Sequence, residues 1–450
     1  MKQGSKRSLQ RLSAYVGLSF VALVLAIAVV IFVFGGAILN GYGKRKAERA
    51  FARAHPGCVL QIGELAYSVG ANRLIAQSVT LSAANATLRT GRISLTGVRW
   101  ARLLWGKPAP AEVLAGAGLD ATNLAGESSE TRYRIHCARL RASVPDSDLI
   151  VEGTELRTLV GDEEFFAAHD FRTTRFHVVV PECTVVGLAF GELLRGESFR
   201  ARAVRFSRPS FDALVNRDKP RKPFVKRPLM VHEALAAIPL PLQVDRLSVT
   251  NGHLTYRERV FAGDDPGVVT VGAVDVSVEN IANRGEAPAV IVIRGQGDLM
   301  DAGPMKVLMS IPIAPPDFSF RYSGSLGAMD LTRLNAFLET AEHTRIKSGS
   351  ARETTFEIEV TAGQARGRVR AIYENFEMAV LDKGTGSAKG LDDRVASFLA
   401  NKLKFRSSNA PDASGAMKEG KVDYTRRPED TFLQFVWYAL RSGALDAVSQ

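Results

Sequence analysis

The stretch Phe356–Tyr373, FEIEVTAGQARGRVRAIY, decides the fold class. Phe356, Ile358 and Val360 alternate with Glu357 and Glu359, and beyond Ala362-Gly363 the alternation resumes as Val369, Ala371 and Tyr373 between charged neighbours. Two period-two segments around a short glycine-containing turn predict an antiparallel hairpin with one apolar and one charged face. Phe376, Met378 and Val380 continue the alternation as a predicted third strand.

The same period extends through most of the chain. Leu65/Tyr67/Val69, Val79/Leu81, Ile93/Leu95, Leu140/Ala142/Val144, Phe176/Val178/Val180, Leu242/Val244 and Leu254/Tyr256 repeat it, each run bounded by Gly, Asn, Asp or Pro. Val269/Val271/Ala273, Val274/Val276/Val278, Met305/Val307/Met309/Ile311 and Phe318/Phe320/Tyr322 follow. The expected fold is therefore mainly β, an elongated, curved antiparallel sheet with a few short helices. Two gapless internal similarities point to reuse of one unit. Gly97–Gly106 (GVRWARLLWG) aligns on Gly187–Gly196 (GLAFGELLRG), and Gln61-Ile62, Leu65 and Gly70 align on Gln243-Val244, Leu247 and Gly252. Each G…LL…G segment reads as one helical turn whose leucines pack on the sheet and whose last glycine permits a left-handed stop.

Three regions break the alternation. Val16–Leu39, VGLSFVALVLAIAVVIFVFGGAIL, carries no charge. At about 1.5 Å per residue it reaches roughly 36 Å, enough to cross a hydrocarbon core of about 30 Å. A cleaved signal is the rival reading, but its apolar region runs only about 7–15 residues and ends at a small-residue site, which FGGAILNGYGKRK lacks. We expect a cytoplasmic head over 1–14, an uncleaved transmembrane anchor over 15–40 and the body outside the cytoplasm. Between Arg208 and Pro228, Arg217, Lys219, Arg221, Lys222, Lys226 and Arg227 interleave with four prolines. This stretch predicts an irregular linker over 211–228 between β-rich halves at 41–210 and 229–382. The tail, 383–450, predicts helices over Asp392–Lys404 and Thr431–Val448, the last one rich in aromatics and fit to cap a sheet.

Composition excludes several classes. The net charge of +11 looks like a nucleic-acid signature until it is located: residues 1–49 hold eight Lys/Arg and one Glu, so +7 flanks the anchor and +4 remains in the body. Basic residues beside a bilayer gain roughly 1 kcal/mol each from anionic lipid, which accounts for the excess without nucleic acid. Cys58, Cys137 and Cys183 are widely spaced and fit neither a disulfide framework nor a zinc knuckle. The seven histidines form no H-E-x-x-H, His177 and Cys183 share strand parity as a two-member set only, and no G-x-S-x-G occurs. Gly384–Gly390, GTGSAKG, lacks the G-K-[ST] order of a phosphate loop. We expect no enzyme, no cofactor and no metal.

The anchor, QIGELAY (Gln61–Tyr67), the G…LL…G unit and LPLQVDRLSVTNGHLTYRER (Leu240–Arg259) together resemble the AsmA-like proteins of bacterial envelopes. LTRLN (Leu331–Asn335), IKSG (Ile346–Gly349), GRVRAIY (Gly367–Tyr373) and FVWYALRSG (Phe435–Gly443) are similar to that family's carboxy-terminal region. The resemblance implies a single-pass inner-membrane protein with a periplasmic body, related to TamB-like and chorein-type proteins that form grooves for lipid. On that reading, Phe176, Val178, Val269, Val271, Phe318, Phe320, Phe356, Ile358, Val360, Val369 and Tyr373 are candidates to line an apolar groove for phospholipid. The function expected is phospholipid binding or movement in envelope homeostasis. The alternative is a non-transporting envelope scaffold or assembly factor with other envelope proteins as partners.

Overall fold

The computed structural model describes residues 48–449 apart from 50, 54, 56, 101, 103–108, 221–227, 285–288, 314–316 and 382–404. The expected head, the anchor Val16–Leu39, the helix Asp392–Lys404 and the loop Gly384–Gly390 lie outside the described residues. Among the described residues no helix is long and apolar enough to cross a membrane.

The described chain is mainly β. Its elements begin β1 (Val59–Ser68), β2 (Arg73–Ala83), β3 (Ala86–Thr96), α1 (Pro110–Val113), β4 (Gly118–Ser128), β5 (Tyr133–Ser143) and β6 (Asp148–Thr158). Next come α2 (Asp162–Ala167), β7 (Thr174–Val186), α3 (Phe190–Leu194), β8 (Phe199–Ser207), β9 (Ser210–Asn216), α4 (Val231–Ala236) and β10 (Leu242–Arg259). Then follow β11 (Gly267–Ala282), β12 (Val290–Leu299), β13 (Gly303–Pro312), β14 (Phe320–Leu326), β15 (Met329–Asp330) and α5 (Asn335–Ala341). β16 (Thr344–Thr361), β17 (Gln364–Val380), β18 (Gly420–Thr425) and α6 (Phe432–Val448) complete the order.

Two compact units divide these elements. The first takes the chain up to Gly161 with His177–Pro209 and Ile238–Leu247; the second takes Asp162–Phe176, Ser210–Ala237 and everything from Ser248 onward. The units thus interleave in sequence, where two successive halves were expected.

In the first unit, neighbouring strands from β1 to β8 pair antiparallel in chain order. The two G…LL…G segments start alike: Gly97 and Gly187 have φ of +68° and +69°, and Trp100 and Phe190 each donate from the backbone N–H two residues back. A side chain at Gly97 would meet the Gly116 carbonyl oxygen at 2.0 Å, so glycine is required there for approach as well as for φ. Val98 and Leu188, which follow these glycines, are both buried.

In the second unit, the hairpin that opened the reading is the centre. Phe356 pairs with Val369, Ile358 with Gly367 and Val360 with Ala365, and Ala362 and Gly363 both take positive φ, as a two-residue hairpin turn of matching twist requires. Phe376–Val380 belongs to β17 itself, because register shifts opposite Ser348 and Ala351 let one strand continue where a third was expected. One face of this sheet is covered by α6. Phe435 sits with its ring 5.1 Å from Phe318 and 5.7 Å from Tyr424, and the Tyr322 hydroxyl donates to the Val436 carbonyl at 3.1 Å. Thr431 caps the helix: its side chain accepts from the Gln434 N–H, and the Gln434 side chain accepts from the Thr431 N–H at 3.2 Å. Met230, at the start of α4, joins the same core.

Three expectations are corrected. Phe211–Asn216, the first part of the stretch expected as an irregular linker, belongs to β9, since Ala213 and Leu214 are buried and the dense run of prolines and basic residues follows Asn216. β9 pairs parallel with β10, so the sheet is not wholly antiparallel. The tail contains β18 besides helix, because Val422 and Tyr424 alternate inward against β17.

The helix reaches β18 through glycines. A Cβ on Gly443 would lie 2.6 Å from Val422 Cγ2 and 2.7 Å from Val369 Cγ2, and one on Gly420 would lie 1.9 Å from the Gly443 carbonyl oxygen. Gly443→Val should therefore lift α6 from the sheet and cost about 1–3 kcal/mol. Urea unfolding monitored by tryptophan fluorescence checks this, and an unchanged midpoint would show that the contact does not hold the helix down.

Candidate functional site

The first unit has two chemically distinct faces. On one, register aligns Leu60–Leu81–Leu88–Gly126–Ile135–Leu156–Val178 across seven strands, and next to it Ile62–Val79–Thr90–Leu124–Cys137–Thr154–Val180. Two further rows, Leu65–Ala76–Ile93–Ala121–Leu140–Val151–Cys183 and Leu74–Leu95–Leu119–Ala142–Leu149–Val185, complete it. No side chain in these rows is charged. The opposite face is paired charge, Arg139 with Asp120 at 2.5 Å, Arg141 with Glu152 at 2.9 Å and Arg134 with Glu127 at 3.0 Å, joined by a contact of His177 with Glu155 at 3.0 Å. The Arg139 guanidinium, by hydrogen bonding to Asp120, holds that carboxyl below its usual range. Exposed pairs of this kind contribute at most about 1 kcal/mol each; their larger effect is to fix which face meets water.

The apolar rows survive a break in parity. In every strand from β1 to β7 the alternation breaks at one residue, and these residues lie opposite one another: Gly63 with Ser78, Gly91 with Asn123, Ala138 with Gly153. Ser78, Asn123 and Gly153 take positive φ. A Cβ on Gly63 would stand 2.9 Å from Ser78 Cβ, and one on Gly153 would stand 2.8 Å from Ala138 Cβ, so those two positions take glycine. An extra residue in each strand flips the side-chain face, so Ile62 is followed inward by Leu65, and Leu124 follows Ala121, at spacings of three.

The face is closed at one end and open at the other. Leu74, Leu95, Leu149 and Val185 are buried at the end where the connecting loops carry buried Val113, Leu114, Leu188 and Leu193. Leu81, Leu88, Ile135, Leu156 and Val178, at the far end, are half-buried. Phe51 packs against Leu60, Ile62 and Ala76 at the β1 edge. In the two middle rows Thr90, Ala121, Leu124, Cys137 and Leu140 are buried, while Val79, Ile93, Val151 and Val180 are half-buried.

The residues expected to line a groove separate into two groups. Val178 lies in the open row of the first unit. The rest belong to the second unit. There Phe318, Phe320, Ile358, Val360, Val369 and Tyr373 are buried, all but Tyr373 in the core beneath α6, with half-buried Phe356 packed against it. Phe176, Val269 and Val271 are half-buried, and the Phe176 ring lies 5.6 Å from Phe211. Most of the apolar face was missed because its runs read as unrelated short segments until the spacing-of-three breaks are aligned; the signal available was the small residue at each break. His177 and Cys183 fall on opposite faces for the same reason, with Pro181 as the unpaired residue between them.

The face can hold hydrocarbon. It offers no group that titrates near neutrality among its thiols: desolvation pushes the half-buried Cys183 up to about 11 and raises the buried Cys137 as well. Among the described residues no cluster of His, Cys, Asp or Glu is fit to hold a metal ion. No family model and no curated protein matches this sequence.

The raised thiol gives a direct test. A thiol with a pKa of about 11 is about 0.1% thiolate at pH 8, and thiolate is the reacting form. Iodoacetamide labelling of Cys183, followed by mass spectrometry, should therefore rise about tenfold per pH unit from 8 to 10. A plateau near pH 9 would show that the thiol is not held in an apolar setting.

Proposed function

We propose that this chain is a single-pass, inner-membrane-anchored AsmA-like envelope protein whose periplasmic body binds phospholipid acyl chains along the apolar face of its first unit. The observation that carries the reading is the set of uncharged rows spanning β1 to β7, whose far-end row of Leu81, Leu88, Ile135, Leu156 and Val178 is only half-buried. Strands spaced about 4.8 Å apart make such a face roughly 30 Å wide, room for more than one chain. Each methylene moved from water onto it gains about 0.8 kcal/mol, so acyl chains of any headgroup are held without specific contacts. The charge-free span Val16–Leu39 and the basic residues on both sides of it support the anchored placement. A role in envelope homeostasis follows from holding or passing such lipids.

A scaffold reading draws on the second unit. Its apolar face is an ordinary core under α6, and that helix leaves Leu433 and Trp437 76% and 52% exposed, one turn apart on its outer side. Such a pair fits a docking contact with another envelope protein.

Extraction of the full-length chain in mild detergent, followed by lipid mass spectrometry, separates the two. The lipid reading expects co-purified phospholipid that falls at least about fivefold in an Ile135→Glu, Leu156→Glu double variant, because a charge within hydrocarbon contact is costly. Folded protein that carries no phospholipid, or a variant that carries as much as the parent, sinks it. Leu433→Glu with Trp437→Glu should leave lipid content unchanged and remove protein crosslinks if α6 is a docking surface.

A further inference from the structure

Within the second unit, α2, the first residues of β7, β9 and the end of β10 bring charged groups together, with Arg175, Arg259 and Glu258 buried among them. Arg172, Arg175, Arg217, Arg257 and Arg259 gather there with Asp162, Glu163, Asp212 and Glu258. Because β9 and β10 are parallel partners, Arg257 stands beside Leu214 and Arg259 beside Asn216, all on one face of the pair. That face is the one α2 covers: Asp162 and Glu163 accept from Arg175 and Arg259, and the Phe166 ring lies 5.3 Å from the Arg259 guanidinium carbon. Glu258 points the other way, to Arg217 and to the Tyr256 hydroxyl, which donates to it at 2.5 Å.

Arg175 and Arg259 are buried alike but satisfied differently. Arg175 donates from Nε and Nη2 to the two Asp162 oxygens at 2.9 and 3.1 Å, and from Nη1 to Asp212 at 2.7 Å. Arg259 donates from Nη1 to Glu163 at 2.5 Å, while its Nε and Nη2 are buried without a hydrogen-bond partner among the described residues. Those two nitrogens form the side-on edge of a guanidinium, the edge that takes a carboxylate or phosphate through parallel bonds. Two more buried donors share the condition, Asn216 Nδ2 and Arg257 Nε. Asn216 cannot be relieved by turning its amide, because its Oδ1 already accepts from the Asp218 N–H at 3.3 Å. These four groups on the α2 face are all donors; the one acceptor of the cluster without a hydrogen bond, Glu258 Oε1, lies on the opposite face against the Arg217 guanidinium. A water can accept from two of the donors, but its own hydrogens would need acceptors that these groups lack, whereas an oxyanion brings acceptors only.

We propose that Arg259, Asn216 and Arg257 form a binding site for a small oxyanion, a phosphate or carboxylate group received on the side-on edge of Arg259. The Glu163 side chain, 60% exposed, marks the solvent side of the cluster and hence the route of entry. The site stands apart from the lipid reading, since no residue of the apolar rows takes part in it.

The test uses the full-length chain in non-ionic detergent, titrated calorimetrically at fixed ionic strength with inorganic phosphate, with acetate and, separately, with a short-chain phosphatidic acid below its micelle concentration. Saturable binding of at least one is expected. Arg259→Lys keeps the charge but loses the fork and should weaken it at least about tenfold. Asn216→Asp keeps the Oδ1 acceptor and places a carboxylate oxygen against Arg259; it should raise the Tm by about 2–4 °C and abolish the response to added anion. Binding of inorganic phosphate or acetate identifies a free anion as the ligand, and binding of the phosphatidic acid alone identifies a lipid headgroup. Either source supports the site. No saturable binding by folded parent protein, equal binding in Arg259→Lys, or a lowered Tm in Asn216→Asp would each overturn it, and the Asn216→Asp result stands even if Arg259→Lys fails to fold.

Discussion

A sheet with one uncharged face is stable in water only when something covers that face, and this requirement organises each unit. Exposed hydrocarbon costs about 25 cal/mol per Å², so an uncovered row of leucines and valines is a standing demand for apolar contact. The second unit meets the demand internally. α6 lays Phe435 and Ala439 on the rows that run through Phe320, Tyr322, Ile358 and Val422, and glycines at 420 and 443 bring helix and strand into backbone contact. The first unit, among its described residues, meets it at one end with loop side chains and at the β1 edge with Phe51, buries Ala121, Leu124, Cys137 and Leu140 in the middle, and leaves the far row from Leu81 to Val178 half-buried. The proposed lipid function is the reading in which hydrocarbon supplies the missing cover.

The transverse line of parity breaks is the device that keeps the apolar face continuous. A strand that simply alternated through Gly63, Ser78, Gly91, Asn123, Ala138, Gly153 and Pro181 would carry its apolar side chains to the wrong side halfway along. Inserting the extra residue at the same level in adjacent strands preserves both the ladder on either side and the chemistry of each face. Bulged strands bend where the extra residue sits, so a line of them bends the sheet as a whole. The glycines at 63 and 153 follow from the close approach measured across the line, 2.8–2.9 Å for an added Cβ at Gly153 and Gly63.

The charged cluster beneath α2 obeys the complementary rule. Apolar faces can be covered by any hydrocarbon, but a buried guanidinium needs acceptors in particular directions. Arg175 has them from two aspartates, and the contrast with Arg259 two strands away is what singles the latter out. The prolines and lysines that follow Asn216 in sequence drew attention to this region as a solvated connector, yet its chemistry sits just before them, in a strand.

The sequence alone determined the class of structure: alternation in Phe356–Tyr373 and a dozen other runs requires strands with one apolar face, and Thr431 with Gln434 marks the start of the last helix. Those signals are local, carried by the period of the side chains and by capping chemistry within four residues. Tertiary structure decided which apolar faces are cores and which are open, because Phe320 and Leu156 sit in equivalent patterns and differ only in whether a helix distant in sequence returns to cover them. It also decided the register that aligns the breaks in parity, the parallel pairing of β9 with β10, and the company kept by Arg259, all of which depend on which segments meet in space.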